Sequence, residues 1–169
     1  MSKQKSGDAI AMLKADHRAV GKLFEDFSAA KGKAKQAIAD KICAELKIHT
    51  SIEEEIFYPA LKGKIEKDDL NEAYVEHDAA KVMINDILAS GPDDEFYDAK
   101  VKVLAEEITH HVKEEEEPGT GLFAMARDAA VDLVALGDAM QARKAELAKQ
   151  EESTGLPEAQ LTALHHTFA

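Results

Sequence analysis

Four histidines and two glutamates recur at matching positions in the two halves of the sequence. Each half carries an acidic residue directly before a histidine and, farther on, a histidine four residues before a glutamate. In an α-helix, residues four apart diverge by only about 40° and are separated by about 6 Å, so each histidine–glutamate pair can meet at one point. The six residues are His17, His49, Glu53, His77, His111 and Glu115.

The repeat has a nearly constant spacing. The pairs Asp16-His17 and Glu76-His77 lie 60 residues apart, and the two His-x-x-x-Glu motifs lie 62 residues apart. Two helical hairpins with this pattern, packed face to face, gather four imidazoles and two carboxylates in one interior. The six side chains also fall on the apolar faces of the predicted helices. In the second helix that face reads Ile38, Ile42, Leu46, His49, Glu53 and Ile56.

Carboxylates and imidazoles inside a bundle need partners, because an unpaired buried charge is very costly. Cations at the centre satisfy both groups, and metal binding then contributes to folding. Imidazole with carboxylate suits iron, zinc, manganese or nickel and disfavours magnesium and calcium. Four histidines and two bridging glutamates supply about eight of the roughly twelve bonds of two six-coordinate ions. An oxo or hydroxo bridge and two further ligands complete the count, which predicts a dinuclear site with open positions.

Each of these residues alone has a plainer interpretation. A single histidine on an apolar face is more often a core residue, and a single histidine–glutamate pair at this spacing is common on helix surfaces. For the whole chain, the corresponding alternative is a structural acidic bundle without metal. The repeat, with all six residues on core faces, favours metal binding. The ferritin-like di-iron pattern uses Glu-x-x-His motifs, whereas here histidine precedes glutamate by four residues.

Helix breakers divide the chain into five helical stretches. They run over about residues 8–30, 33–58, 68–90, 93–117 and 121–151, and Pro59 is expected to stop the second. Amphipathic helices with short connections predict an all-α, antiparallel up-down-up-down four-helix bundle with an additional C-terminal helix. That fifth helix can pack on the bundle or on a second subunit. We expect one domain over residues 1–152 and a flexible C-terminal tail over residues 153–169.

Four segments resemble the hemerythrin-like, or HHE cation-binding, domains. These segments read ADHRAV, HTSIEEEIFYPAL, EHDAA and HHVKEEEE, and the resemblance covers about residues 8–125. It implies an antiparallel four-helix bundle that holds a non-haem di-iron centre, with Glu53 and Glu115 as bridging carboxylates. The ligands that the resemblance implies are His17, His49, Glu53, His77, His111 and Glu115.

The sequence departs from the oxygen-carrying members of the family on the third helix. Those proteins have two histidines four residues apart there, whereas His77 has Ala73 before it and Lys81 after it. A fifth histidine is therefore missing at both positions. We expect the iron served by the third helix to lack a ligand, which disfavours reversible oxygen carriage.

Tyr58 is the main candidate to replace the missing histidine, because some hemerythrin-like proteins use a tyrosine ligand near this end of the second helix. Helical geometry disfavours it, since Tyr58 comes five residues after Glu53 and therefore lies about 140° around the helix. Pro59 can end the helix there and free the side chain. The alternative for Tyr58 is an ordinary half-buried aromatic, and Tyr74 is a lesser candidate that otherwise belongs to the core.

Other polar residues near the motifs are expected on the surface. Asp16 and Glu76 directly precede histidines, which points them away from the interior, so a surface position is favoured over support of a ligand. The remaining acids are expected as solvated charge, with aid to metal entry as the lesser alternative: Glu54, Glu55, Glu114, Glu116 and Glu117. His110 competes with His111, but Glu115 is five residues after His110, which favours His111. Cys43 reads as a small buried hydrophobe.

Composition limits the partners. A net charge of −12 over 169 residues disfavours nucleic acid and anionic membranes, because phosphate contacts need an excess of lysine and arginine. A single cysteine fits a reducing compartment. The start of the chain has no apolar signal region, and no 18-residue uncharged apolar stretch occurs. We therefore expect a cytoplasmic protein without a membrane or nucleic-acid partner.

The functional expectation is a di-iron protein whose reduced centre reacts with a small ligand such as O2, H2O2 or NO. The missing histidine leaves an extra exchangeable position, which favours peroxide handling or an oxygen or redox response over carriage. Catalase-like or peroxidase-like activity is one form of this hypothesis. The alternative is a non-enzymatic module that senses O2, NO or iron through the fifth helix, for instance as a homodimer formed by that helix.

Overall fold

The structure, a computed structural model, describes residues 7–165. The chain folds into helices, whose bounds are α1 (Ala9–Ala29), α2 (Lys33–Ile52), a π-helical turn (Glu53–Phe57), α3 (Tyr58–Leu61), α4 (Lys67–Ser90), α5 (Tyr97–Glu116), α6 (Leu122–Asp128) and α7 (Leu133–Thr154). Residues 1–6 of the predicted domain and residues 166–169 of the predicted tail lie outside this description. Within residues 7–165 no strand occurs.

Helices α1, α2, α4 and α5 form the predicted antiparallel four-helix bundle. The α1 helix packs against α2 and α5, and α4 packs against α5 and α2. Asp8 begins α1 by accepting a 2.9 Å hydrogen bond from the backbone N–H of Ala11. Gly32, with a φ of +60°, separates α1 from α2, and Gly91, with a φ of +72°, ends α4. The all-α prediction is confirmed.

The bundle interior consists of two apolar clusters with a polar layer between them. His17 lies in sequence between Leu13 of one cluster and Val20 of the other. On α4, Ala73 and Ala80 stand on either side of His77 in the same way. The helices therefore bury their apolar faces above and below the layer, and this packing carries the predicted ligands into the interior.

The second predicted helix does not stop at Pro59. The α-helix proper ends at Ile52, a π-helical turn follows, and helical structure continues through Pro59 to Leu61. Proline has no N–H and its ring clashes with the carbonyl four residues earlier. Here the π turn directly precedes the proline, and Pro59 lies in the first turn of α3, where a missing N–H is tolerated. The fourth predicted helix also begins later than expected, at Tyr97, because residues 93–96 form turns.

The predicted additional C-terminal helix is present, but its predicted extent is wrong, because two helices occupy residues 121–151. The α6 helix ends at Asp128, Ala130 adopts a left-handed φ of +53°, and Asp132 starts α7 by accepting from the backbone N–H of Ala135. An aspartate at an N-cap is a start signal that the apolar spacing hid. The α7 helix packs on α1 and α2 of its own chain. At Gly137 a Cβ would lie 2.9 Å from the backbone nitrogen of Ala9, so this contact needs glycine.

The segment after α7 lies along the bundle. Gly155, with a φ of +76°, turns the chain, and the residues that follow hydrogen-bond to α2 and α4. The tail therefore lies against the helices up to residue 165. Its flexibility stays a prediction. Within the described part of the chain, no helix is both long and apolar enough to span a membrane.

Candidate metal centre

The six predicted ligands meet in the polar layer halfway along the bundle. Each is at most 9% exposed, and they come from all four bundle helices and the π turn. Their ligand atoms fall into two groups that share the glutamates. Site A denotes the group around His17 and His49, and site B denotes the group around His77 and His111. Metal binding by these residues remains a proposal, which is argued below.

Site A joins α1 to α2. The Nε2 atoms of His17 and His49 lie 3.2 Å apart. Glu115 Oε2 lies 3.3 Å from Nε2 of His17, and Glu53 Oε1 lies 3.1 Å from Nε2 of His49. Four donor atoms from the described residues therefore surround one point.

Site B joins α4 to α5 and has one more protein donor. The Nε2 atoms of His77 and His111 lie 3.2 Å apart. Glu53 Oε2 lies 3.0 Å from Nε2 of His77, and Glu115 Oε1 lies 3.4 Å from Nε2 of His111. The phenol oxygen of Tyr58 lies 3.1 Å from Nε2 of His77.

Each glutamate presents one oxygen to each site. Glu53 turns Oε1 toward site A and Oε2 toward site B, and Glu115 turns Oε2 toward site A and Oε1 toward site B. The two oxygens that face site A, Glu53 Oε1 and Glu115 Oε2, are buried without a hydrogen-bond partner in the described residues. Buried polar atoms are normally satisfied, so these two carboxylate oxygens fit a site that a cation fills.

The outer nitrogen of each histidine ring faces an acid. Nδ1 of His17 lies 2.6 Å from Glu116, and Nδ1 of His77 lies 2.9 Å from Glu54. An Nδ1–H that donates to a carboxylate fixes the tautomer and leaves the Nε2 lone pair free for a metal. Nδ1 of His49 faces Asp16 at 3.3 Å, and Nδ1 of His111 hydrogen-bonds to Glu76. Each of the four imidazoles therefore aims its Nε2 inward.

The surface prediction for four of these acids is wrong. Asp16 and Glu76 do point away from their neighbouring histidines, but each reaches the histidine of the next helix in its own hairpin. Glu54 and Glu116 reach histidines of the opposite hairpin. The sequence held a signal for them, because the acids repeat with the ligands. One precedes the first histidine of each half, and the other follows the bridging glutamate.

The π turn places Tyr58 in the centre. In this turn the backbone N–H of Tyr58 donates to the carbonyl of Glu53, five residues back. An i to i+5 repeat stacks Tyr58 over Glu53, whereas an ordinary α-helix would put them about 140° apart. The phenol oxygen lies 2.7 Å from Glu115 Oε1 and 3.1 Å from Glu53 Oε2. The geometric objection to Tyr58 was therefore wrong.

Whether the site of the third predicted helix lacks a ligand stays a prediction, but the phenol oxygen of Tyr58 gives it one further candidate donor. Among the described residues, site B gathers five donor atoms and site A gathers four. Tyr74 packs its ring edge-on against the Tyr58 ring at 5.2 Å between centroids, so it contacts the phenol. His110 lies outward as predicted, with a side chain that is 64% exposed.

The electrostatics of the layer stabilise positive charge between the glutamates. Burial opposes protonation of His49, but the carboxylates of Glu53 and Asp16 outweigh it and raise the pKa of His49 to about 10. Burial opposes ionisation of Glu53, but His49 and His77 hold its pKa well below the usual value. Burial and the two glutamates raise the pKa of Tyr58 well above the usual value, which keeps the phenol protonated.

Three cavities border the layer in the described part of the chain, and one of them, of about 100 Å³, lies beside His77 and His111. A cavity of about 390 Å³ opens beside Glu76, His111 and Glu115 and carries further acids on its wall. A third cavity, of about 10 Å³, is lined by the four candidate histidines together with Val20, Leu46 and Ile108. A space of this size is at the lower limit for one water molecule.

A helical bundle with a buried histidine and glutamate centre defines a class of metal-binding helical domain. The chain belongs to the Hemerythrin HHE cation binding domain family, whose profile matches residues 8–118. It is similar in fold to a Hemerythrin HHE cation binding domain-containing protein from Mycobacterium kansasii, with a TM-score of 0.71 and 22% identity over 89% of this chain and 95% of that one. It is also 29% identical over 118 residues to a protein from Nostoc sp. named DNA nickase. This match covers 69% of the chain but spans only 33% of the Nostoc protein.

Proposed function

We propose that this protein holds two iron ions at sites A and B and reacts with a small oxidant, H2O2 or O2. The observation that carries this proposal is the convergence of four imidazole Nε2 atoms and two shared carboxylates, with two carboxylate oxygens otherwise unsatisfied. Imidazole and carboxylate donors in this proportion suit iron. A structural zinc site closes at four ligands and does not need a shared pair of carboxylates.

The residues of the polar layer have two different roles. Glu53 and Glu115 hold both ions, and the outer acids orient the imidazoles. A bound iron pair supplies or accepts two electrons, which is the number that one peroxide needs. In a catalase-like cycle one H2O2 takes two electrons and two protons and leaves as two waters, and a second H2O2 returns them and leaves as O2.

The surroundings favour a small and uncharged reactant. The cavity of about 10 Å³ beside the four histidines has apolar walls, with Val20, Leu46 and Ile108 among them. Phe123 stacks on the His17 ring at 5.8 Å between centroids and limits water on that side. Acidic residues line the larger opening, which disfavours anions and admits cations and neutral molecules. These features support peroxide or dioxygen as the reactant and ferrous iron as the metal that enters.

The test loads metal-free protein with two equivalents of ferrous iron under anaerobic conditions and then adds H2O2. We expect an absorption change and evolution of O2, and neither in a His49→Ala variant. A His165→Ala variant is the matched control, since His165 is exposed near the end of the described residues and lies outside both sites. Loaded protein that gives no spectral or gas response contradicts peroxide handling, and protein that takes up no iron contradicts the whole proposal.

A second candidate function is sensing of O2, NO or iron through α7. The observation that favours it is the ion pair between Lys144 of α7 and Asp16, the acid that faces His49. A change at site A can reach α7 by this contact. Gel filtration of metal-free, reduced and oxidised protein tests it: a change in oligomeric state supports a signalling helix, and an unchanged profile counts against it. A homodimer formed by α7 belongs to this candidate.

A further inference from the structure

The chain after α7 is held on the bundle by a set of hydrogen bonds to side chains. We call residues 156–164 the strap. Lys47 donates to the carbonyl of Leu156 at 3.2 Å. Asn85 binds both backbone groups of Ala159, donating to its carbonyl and accepting from its N–H, each at 2.9 Å. These contacts fix the position of the strap along α2 and α4.

Asp78 anchors the far end of the strap. This buried carboxylate accepts hydrogen bonds from three consecutive backbone N–H groups, of Thr162 at 2.9 Å, Ala163 at 2.6 Å and Leu164 at 2.7 Å. Lys81 adds a fourth donor at 3.2 Å. Hydrogen bonds to an ionised acceptor are about twice as strong as neutral ones, so this end is held firmly.

The strap reaches the metal centre through a single side chain. The hydroxyl of Thr162 donates to Glu54 Oε2 at 2.7 Å, and Lys81 donates to the same oxygen at 2.9 Å. The other oxygen of Glu54 lies 2.9 Å from Nδ1 of His77, whose Nε2 faces site B. A continuous line of hydrogen bonds therefore joins the strap to a ligand of site B.

We propose that Thr162 is a positioning residue for site B, which holds Glu54 against His77 and so tunes the affinity of that site alone. The inference rests on the proposed function, since it concerns the same centre. Site A supplies the contrast within the chain. There Glu116 takes the place of Glu54 on Nδ1 of His17, and its side chain is 31% exposed against 12% for Glu54.

The physical reason lies in how an imidazole binds a metal. A carboxylate on Nδ1 orients the ring and raises the basicity of Nε2, and loss of such a partner typically weakens metal binding by about 10-fold to 100-fold. Without the Thr162 hydroxyl, Glu54 keeps Lys81 but loses the shorter of the two hydrogen bonds to its Oε2. We therefore expect an effect of about 10-fold, at the low end of that range, confined to site B.

The experiment compares full-length Thr162→Val, which keeps the shape but removes the hydroxyl, with Thr162→Ser, which restores it. Thr162 is exposed, so neither change disturbs the core. The matched control is Thr154→Val, whose hydroxyl donates to the carbonyl of Gln150 at the end of α7. Metal-free protein is titrated anaerobically with Co²⁺ and followed by visible absorption. The ring-nitrogen resonances of His77 and His17 are recorded by NMR before metal is added.

In Thr162→Val we expect one of the two Co²⁺ equivalents to bind about 10-fold more weakly and the His77 resonances to shift, with His17 unchanged. Thr162→Ser and Thr154→Val are expected to match the unmodified chain. The inference is overturned if Thr162→Val leaves both Co²⁺ affinities and the His77 resonances unchanged. It is also overturned if Thr162→Val weakens the binding of both Co²⁺ equivalents equally. If the unmodified chain takes up no Co²⁺, the proposed function fails, whereas the His77 resonances still decide whether the strap acts on that ring.

Discussion

Sites A and B are built from the same repeat but differ in what completes them. Both have two histidines, one oxygen from each shared glutamate and an acid on each outer nitrogen. Site B also has the Tyr58 phenol, which the π turn brings over Glu53. At the corresponding place in the second hairpin, α5 ends at Glu116 and Gly121 packs against the carbonyl of Glu115, where a Cβ would lie 2.5 Å away.

The acids behind the two sites also differ, and again site B has the larger number of contacts. Glu54, behind site B, takes hydrogen bonds from His77, Lys81 and Thr162. Glu116, behind site A, faces His17 and is more exposed. Site A also contains the unsatisfied oxygens of the two shared glutamates, Glu53 Oε1 and Glu115 Oε2. The difference teaches that the repeat supplies a matching set of candidate ligands to both sites, whereas the π turn and the strap add contacts at site B alone.

The largest effect is expected from Glu53→Ala, which removes one oxygen from each site. Both metals should be lost together, with affinities reduced by more than about 100-fold. A residue that binds both metals contributes more to their affinity than a residue that only supports a ligand. The measurement is iron per chain after reconstitution and desalting. Glu55→Ala is the matched control, since Glu55 is exposed and pairs with Arg143. Uptake of two equivalents by Glu53→Ala would mean that the glutamate is not shared.

Tyr58→Phe should affect site B while leaving site A intact. We expect one of two metal equivalents to weaken by about 10-fold to 100-fold and any visible tyrosinate-to-iron band to vanish. The metal-free protein should also lose about 1–3 kcal/mol of unfolding free energy, because Glu53 and Glu115 lose a buried donor. Metal titration and denaturant unfolding measure the two effects, with Tyr74→Phe as the control. Equal weakening of both equivalents would abolish the distinction between the sites.

The two supporting acids allow a direct comparison by the same substitution. Glu54→Gln should weaken site B by about 10-fold or more, because Glu54 is the more buried acid and holds three donors. Glu116→Gln should weaken site A by only a few-fold, because water screens an acid that is 31% exposed. Two-step metal titrations of both variants provide the measurement. A larger effect of Glu116→Gln than of Glu54→Gln would show that site A is the more tightly supported site.

The sequence could predict the bundle and the convergence of the six candidate ligands because both follow from the periodicity of the helices. Apolar residues every three or four positions specify the helix faces, and the six ligands lie on those faces. The outer acids could have been predicted from the same repeat, but a helix face shows only where a side chain points on its own helix. That Asp16 meets His49 of the neighbouring helix depends on how the helices are paired.

The rest depended on features without a local signal. The π turn at Glu53–Phe57 changes the helical repeat for five residues, and a regular period of 3.6 residues cannot anticipate it. The break at Ala130 interrupts a stretch of good helix formers, so propensity favoured one long helix there. The strap was assigned to a tail because its contacts are long-range side-chain hydrogen bonds, such as those of Asp78, and not an apolar face.

The smallest effect is expected from Lys144→Ala, which removes the lysine that α7 sets against Asp16. Lys144 is 27% exposed on its side chain, and partly exposed ion pairs contribute at most about 1 kcal/mol, or about fivefold in affinity. Asp16 keeps its contact with His49, so the metal affinity of site A should change by less than about fivefold in a titration.

Gel filtration of the loaded variant adds a second readout, with Arg143→Ala as the neighbouring control that breaks the pair with Glu55. A loss above about 10-fold at site A, or an altered oligomeric state in Lys144→Ala alone, would mean that α7 is coupled to the centre. That result would favour the sensing function over peroxide handling.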